Sequence, residues 1–212
     1  YCKTIAYVPQ DDLLFENLSI WQNLYYCAKI RVPDLFNDKN DILLEQKIKH
    51  ILSIMGLWDK RHLKAGSVHQ KTLSGGERKR LNIALELLSD PQIIILDEPT
   101  SGLSSKDSEK LLETLNDLKQ IGKMIIATIH QPNAELFQQF DKLLLLDKGG
   151  IQVYFGDTQH IFDYFDEELA LIQDQERLSF KRNLKMPEYL FDILEYSQRN
   201  QNGVNGFVGF SE

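Results

Sequence analysis

The sequence predicts an α/β protein: a parallel sheet core flanked by helices, with a helical subdomain set into it. Two observations carry that prediction. Apolar, β-branched runs alternate with helical periodicities, and two of them, "PQIIILDEP" and "MIIATIH", read as short strands buried on both faces, as parallel sheets require. The chain also opens directly in a strand pattern, "YCKTIAYVPQ", as if already inside a domain. A fragment is therefore expected, with amino-terminal strands missing upstream.

Thr4 to Val8 is the first strand, and the loop "PQDDLLFENLS" follows it. Ser19 is placed to cap a helix running through Cys27 and Ala28. Ile42, Leu44, Ile48, Ile51, Leu52 and Met55 form a helical stripe that Gly56 is placed to stop. The next helix starts at "LSGGERKR" and runs to about Leu88. After the strand "IIILDE", a helix spans Lys106 to Ile121 and ends at Gly122, and "MIIATIH" forms the next strand. A short helix from Asn133 to Phe140 leads to "KLLLLDKGGIQVYFG", two strands joined at Gly149 and Gly150 like a hairpin. Pro187 opens a last helix, "PEYLFDILEY", and "QRNQNGVNGFVGFSE" lacks periodicity, as a linker or disordered end does. The helical part between about Ser19 and His69 reads as an insertion or subdomain.

Charge and composition exclude several functions. A net charge of -7 and a pI near 5.3 argue against nucleic acid as a partner, because phosphate-backbone binders carry a basic surplus. Cys2 and Cys27 lack metal-ligand or disulfide-framework spacing, so reduced cytosolic thiols are expected. No apolar run approaches the roughly 18 residues of a membrane span, and the amino terminus shows no signal peptide. This stretch of chain is expected to be soluble.

The stretch Leu73 to Arg80, "LSGGERKR", poses a physical question. Ser74 with Glu77 three residues on is a capping box, which an ordinary helix start would explain. Gly75 and Gly76 in the first turn are not explained by it, since each costs up to about 1 kcal/mol relative to alanine. Glycines there let a ligand approach the backbone, and N–H groups at a helix start suit phosphate. Further on, "IIILDE" ends in Asp97 and Glu98, at the strand end where α/β sheets bind ligands. Side chains alternate along a strand, so the two acids diverge. One can hold Mg²⁺ through water while the other polarises a water for attack on a γ-phosphate; alternatively, both cap the following loop. His130 ends "MIIATIH" beside Glu98 if the two strands are neighbours, although a lone strand-end histidine is commonly structural. Gln10, after the first strand, completes a polar set at one sheet edge.

Taken together and in this order, the glutamine of "VPQDD", "LSGGERKR", "IIILDEPTSGL" and "TIHQP" resemble the Q-loop, signature, Walker B with D-loop, and H-loop of an ABC-type ATPase, a P-loop NTPase fold. "TSGLSS", "HQPNAELFQQFDKLLLLDKGGIQVYFG" and "MPEYLFDIL" further resemble the G subfamily, the white or pleiotropic-drug-resistance type. The resemblance covers about Tyr1 to Tyr196, with the helical subdomain at about 19–89 and a tail at 197–212. It implies an ATP-binding and hydrolysing domain that powers transport across a membrane, with ATP and Mg²⁺ as cofactors. The implied partners are a second nucleotide-binding domain and a transmembrane domain, at the cytoplasmic face of a membrane. Ser74, Gly75, Gly76 and Glu77 would meet the γ-phosphate of ATP held by the opposite domain. Asp97 would support Mg²⁺, Glu98 would be the general base, His130 the γ-phosphate sensor, and Gln10 a Mg²⁺ ligand reporting to the membrane domain. Two departures stand out. The phosphate-cradling GxxxxGK[ST] does not occur in the 212 residues, so the chain by itself is expected to be inactive, and Ser104 stands where the family's D-loop has aspartate. The alternative is a non-hydrolysing module that supplies its signature surface to a partner ATPase domain.

Overall fold

The computed structural model describes residues 4–32, 41–66, 72–129 and 134–170, and the chain divides into two compact units, Tyr1–His130 and Gln131–Glu212. The first unit holds a three-stranded parallel sheet in the order β1 (Ile5–Val8), β2 (Ile93–Leu96), β3 (Met124–Ala127). Val8 lies opposite Leu96 and Leu96 opposite Ala127, so all three strands end level. The crossovers are helical, as parallel strands require: α1 (Ile20–Arg31), α2 (Asp41–Ile54) and α3 (Gly75–Leu87) join β1 to β2, and α4 (Ser105–Gln120) joins β2 to β3.

Local chemistry accounts for the helix ends. Ser19 and Gln22 form a complete capping box at α1, with Gln22 N–H donating to Ser19 Oγ at 3.1 Å and Ser19 N–H to Gln22 Oε1 at 2.9 Å. α1 continues past Ala28 to Arg31, whose guanidinium pairs with Glu86 of α3 at 2.6 Å. α2 and α4 each stop at a glycine in the left-handed region, Gly56 at φ +63° and Gly122 at φ +91°. In both, the following N–H returns to a carbonyl of the last turn, Leu57 to Leu52 at 2.8 Å and Lys123 to Leu118 at 3.1 Å.

The hub of this unit is α3, which packs against β1, α1, α2 and α4. It is buried nearly all round, including the consecutive cations Arg78, Lys79 and Arg80. A helix buried on every face is ordinarily apolar. Here the cations donate to loop carbonyls and one acid. Arg78 Nε meets Asp12 Oδ2 at 2.8 Å, and its Nη1 reaches the carbonyls of Ala65, at 3.1 Å, and Gly66. Lys79 Nζ donates to the carbonyls of Pro9 at 3.0 Å and Gln10 at 2.8 Å, and Arg80 Nε to that of Met55 at 3.0 Å.

The strands differ from expectation in one respect. Ala6, Val8, Ile94 and Leu96 are buried on the helix-covered face, whereas Ile5, Tyr7, Met124 and Ile126 on the other are about half exposed, between 48% and 58%. The runs "IIIL" and "MIIA" are thus covered on one face, because α3 and α4 lie on the same side of the sheet.

In the second unit, α5 (Ala134–Phe137) precedes an antiparallel pair, β4 (Lys142–Leu146) and β5 (Gln152–Asp157). Their connection turns through Gly149 and Gly150, at φ +77° and +79°, conformations that favour glycine. α6 (Ile161–Ala170), which the sequence reading passes over, supplies Ile161 and Phe165 to a small core with Phe137, Val153 and Tyr154. The Pro187 helix and the tail lie outside the described residues.

The central place of α3 makes a stability prediction. Leu81, fully buried on it, loses about 2–5 kcal/mol when changed to alanine. Ile30→Ala, at a position 80% exposed, changes stability by no more than about 0.5 kcal/mol. Urea unfolding monitored by circular dichroism measures both.

Candidate functional site

The parallel strands present their carboxyl ends along one edge, where the sequence-predicted polar residues gather. Asp97 follows β2 on the open face of the sheet, between Tyr7 of β1 and Thr128 just beyond β3. The Tyr7 hydroxyl donates to Asp97 Oδ2 at 3.1 Å, and Thr128 Oγ1 donates to Asp97 Oδ1 at 2.7 Å. That hydrogen bond to Asp97, with smaller contributions from burial and the Asp97 charge, raises the Tyr7 hydroxyl's pKa and keeps it a donor. Thr128 Oγ1 also accepts the Glu98 N–H at 2.9 Å, fixing the backbone between the two acids.

Glu98 diverges from Asp97 and accepts from Gln10 Nε2 at 3.0 Å. Its φ is +40°, in the left-handed region, where a non-glycine residue costs about 1–3 kcal/mol. Strain of this kind concentrates where a side chain must be aimed. Gln10, Asp97 and Glu98 are therefore brought together, while His130 lies outside the described residues. Tyr7 and Thr128 were missed by the sequence reading; the signal for Thr128 was its place one residue past a strand that neighbours Asp97.

The donors at this edge are hard oxygens: two carboxylates and the Gln10 Oε1 left free when Nε2 donates to Glu98. Among the described residues no three acids, histidines or cysteines converge as a metal cage. Mg²⁺ does not need one, because it is held by one or two carboxylates completed by waters and substrate phosphates. The donor set fits that ion.

Away from this edge, α3 begins with the expected capping box: Glu77 N–H donates to Ser74 Oγ at 3.2 Å, and Ser74 N–H to Glu77 Oε2 at 3.0 Å. Ser74 and Gly75 are exposed and Gly76 is buried. A Cβ on Gly76 would lie 2.6–2.8 Å from the side chain of Asp107, so part of the glycine requirement is the close packing of α4 on this turn. A Cβ on Gly75 would meet only the end of the Leu103 side chain, at 3.0 Å. The Glu77 carboxylate also takes Lys60 Nζ at 2.6 Å. Partial burial works to raise its pKa, but the Lys60 and Ser74 hydrogen bonds and the charges of Lys60 and Arg80 prevail and lower it.

A three-stranded parallel sheet flanked by helices, with two acids at its carboxyl edge, is consistent with the P-loop NTPase fold of ABC transporter domains. Residues 1–101 match the family described as ABC transporter, and residues 130–206 match the family described as ABC-2 type transporter. The chain belongs to the ABC transporter family, in its G subfamily. It is 36% identical over 195 residues to ABC transporter G family member 28 of Arabidopsis thaliana, covering 92% of this chain and 17% of that protein. It is 43% identical over 154 residues to the ABC-type transporter claG of Penicillium crustosum, covering 73% of this chain and 20% of that protein. With ABC transporter G family member 11 of Arabidopsis thaliana the identity is 41% over 163 residues, 76% of this chain and 22% of the relative. The chain spans about a fifth of the length of the curated relatives it matches. Among the described residues no helix is long and apolar enough to cross a membrane.

The signature turn generates two predictions. Gly76→Ala destabilises by about 1–2 kcal/mol, the crowding against Asp107 outweighing the gain in helix propensity, whereas Gly75→Ala stays within about 0.5 kcal/mol; denaturant midpoints separate them. Because the folded-state pKa of Glu77 is lowered, its contribution is present above the unfolded carboxylate pKa and lost as pH falls through the folded value. Lys60→Met therefore lowers stability at neutral pH, by less than about 1 kcal/mol for so exposed a lysine. The difference from wild type closes below about pH 4, which melting temperatures recorded across pH measure.

Proposed function

We propose that this chain is the ATP-binding and ATP-hydrolysing part of an ABC transporter that drives a substrate across a membrane. The observation that carries the proposal is the strand-end pair, with Asp97 and Glu98 held apart by separate partners. One carboxylate is tied to Tyr7 and Thr128 and the other to Gln10. Divergent acids suit divergent roles: Asp97 and the free oxygen of Gln10 would hold Mg²⁺, and Glu98 would take the proton of the attacking water. When bound, Mg²⁺ neutralises charge on the β- and γ-phosphates of ATP. His130 senses the γ-phosphate. Ser74, Gly75, Gly76 and Glu77 form the signature surface that meets ATP held by a second nucleotide-binding domain. The helical part of the first unit faces the transmembrane domain, which sets the assembly at the cytoplasmic side of the membrane. The family and the names of its relatives support this reading.

A second reading has one observation in its favour. Ser74 and Gly75 of the capped turn are exposed, where a second domain could reach them. In that case the chain lends its signature turn to a partner ATPase domain without hydrolysing ATP itself.

The experiment is Glu98→Gln in the full-length protein. Turnover is expected to fall by about 10²-fold or more, as loss of a positioned base does, with MgATP binding retained. Unchanged turnover refutes the base. A wild-type protein that binds no ATP, yet associates with a second ATPase domain only when ATP is present, favours the second reading.

A further inference from the structure

Ser104 stands at the N-cap of α4, where the resembled family has aspartate, and a carboxylate lies one turn further on. Asp107 Oδ2 accepts the Ser104 hydroxyl at 3.0 Å, and Ser104 Oγ accepts the Asp107 N–H at 3.2 Å. The other oxygen, Oδ1, accepts the hydroxyl of Ser74 at 3.1 Å. Ser74 Oγ is at the same time the acceptor for the Glu77 N–H. A serine hydroxyl has a single proton to donate. Here that proton points at Asp107, so Ser74 cannot give it to a phosphate oxygen without breaking this bond. A phosphate approaching the turn would also meet the Asp107 charge, which interacts with the charge of the buried Arg80, while Glu77 is engaged by Lys60. Asp107 packs closely on the turn, its side chain lying where a Cβ on Gly76 would be.

We propose that Asp107 is a positioning residue that withholds the Ser74 proton and so sets how tightly the signature turn engages the γ-phosphate of MgATP. The proposal rests on the reading that this turn meets ATP, and adds to it a residue that competes with the nucleotide. Asp107→Asn keeps the shape and an acceptor for Ser104, while its Nδ2–H can donate to Ser74 Oγ and release the serine proton.

The test is steady-state ATPase kinetics of the full-length protein carrying Asp107→Asn, Ser74→Ala, both together, or Ser104→Ala. Asp107→Asn is expected to lower KM for MgATP by about threefold to tenfold, the value of one hydrogen bond, and to move KM more than kcat. The fall is expected to vanish in the Ser74→Ala background. Ser104→Ala, which leaves Ser74 as the one hydroxyl on Asp107, is expected to raise KM. A higher KM for Asp107→Asn, or a loss in kcat alone, makes Asp107 a structural support of Ser74 and overturns the proposal. An equal fall without the serine hydroxyl assigns the effect to charge and overturns it too, as does a lower KM for Ser104→Ala. A wild-type protein with no ATP binding removes the ATP reading itself, an outcome visible before any variant is compared.

Discussion

The structure depends on three buried cations at the start of α3. Arg78, Lys79 and Arg80 sit where an all-round buried helix would ordinarily carry apolar side chains, and removing such charges from water is costly unless they are well hydrogen-bonded. Arg78 and Lys79 meet that condition by reaching into irregular backbone, the loop after β1 and residues 65 and 66, whereas Arg80 meets it only through Nε at the end of α2, its buried Nη1 having no hydrogen-bond partner among the described residues. These loop carbonyls lie outside the helix and sheet ladders. The cations thus satisfy groups that the loops cannot satisfy among themselves, and tie three segments distant in sequence to one helix. Burial pushes the Lys79 pKa down, while Asp12, Asp97 and Asp11 push it up. Burial prevails and the pKa is lowered, the acids offsetting it only in part.

The glycines of the signature turn have a double explanation. Gly76 is required by packing, since Asp107 occupies the volume a Cβ would need. Gly75 is exposed and adjoins only the flexible tip of Leu103, so packing alone does not demand a glycine there. One glycine lets α4 close on α3, and the next leaves a backbone N–H open beside an exposed serine. The capping box holds both in register, with Glu77 fixed from a third side by Lys60.

Much of this was legible in the sequence because it is local. The cap at Ser19, the capping box at Ser74, stops at Gly56 and Gly122, and the hairpin at Gly149 and Gly150 are set by residues within a few positions of one another. The strand runs were legible as strands but not in their burial, since "IIIL" states only that both faces tolerate apolar surroundings and not that both are covered. α6 carries its pattern in "IFDYF" but lacks a local start signal, following directly on a 3₁₀ turn at Thr158–His160 with no side-chain cap. The partners of the site residues were the least legible part. Tyr7 and Thr128 reach Asp97 across strand pairings, and Asp107 reaches Ser74 from a different helix, so neither contact has a spacing to read.

Lys79 joins the two polar sets through one rigid element. The helix that starts at Ser74 carries this lysine one turn later, and its ammonium holds the carbonyls of Pro9 and Gln10. The side chain of Gln10 in turn holds Glu98. A shift of α3 large enough to move the signature turn by more than the slack of a hydrogen bond must either break both lysine contacts or carry the Gln10 backbone with it. Breaking them would strand a buried ammonium without those acceptors, at a cost of several times that of a surface bond. Lys79 and Gln10 thus link the strand-end acids to the helix of the capped turn through a run of hydrogen bonds, although 23 positions separate Ser74 from Asp97 along the chain and the sheet and helix that carry them share no ladder.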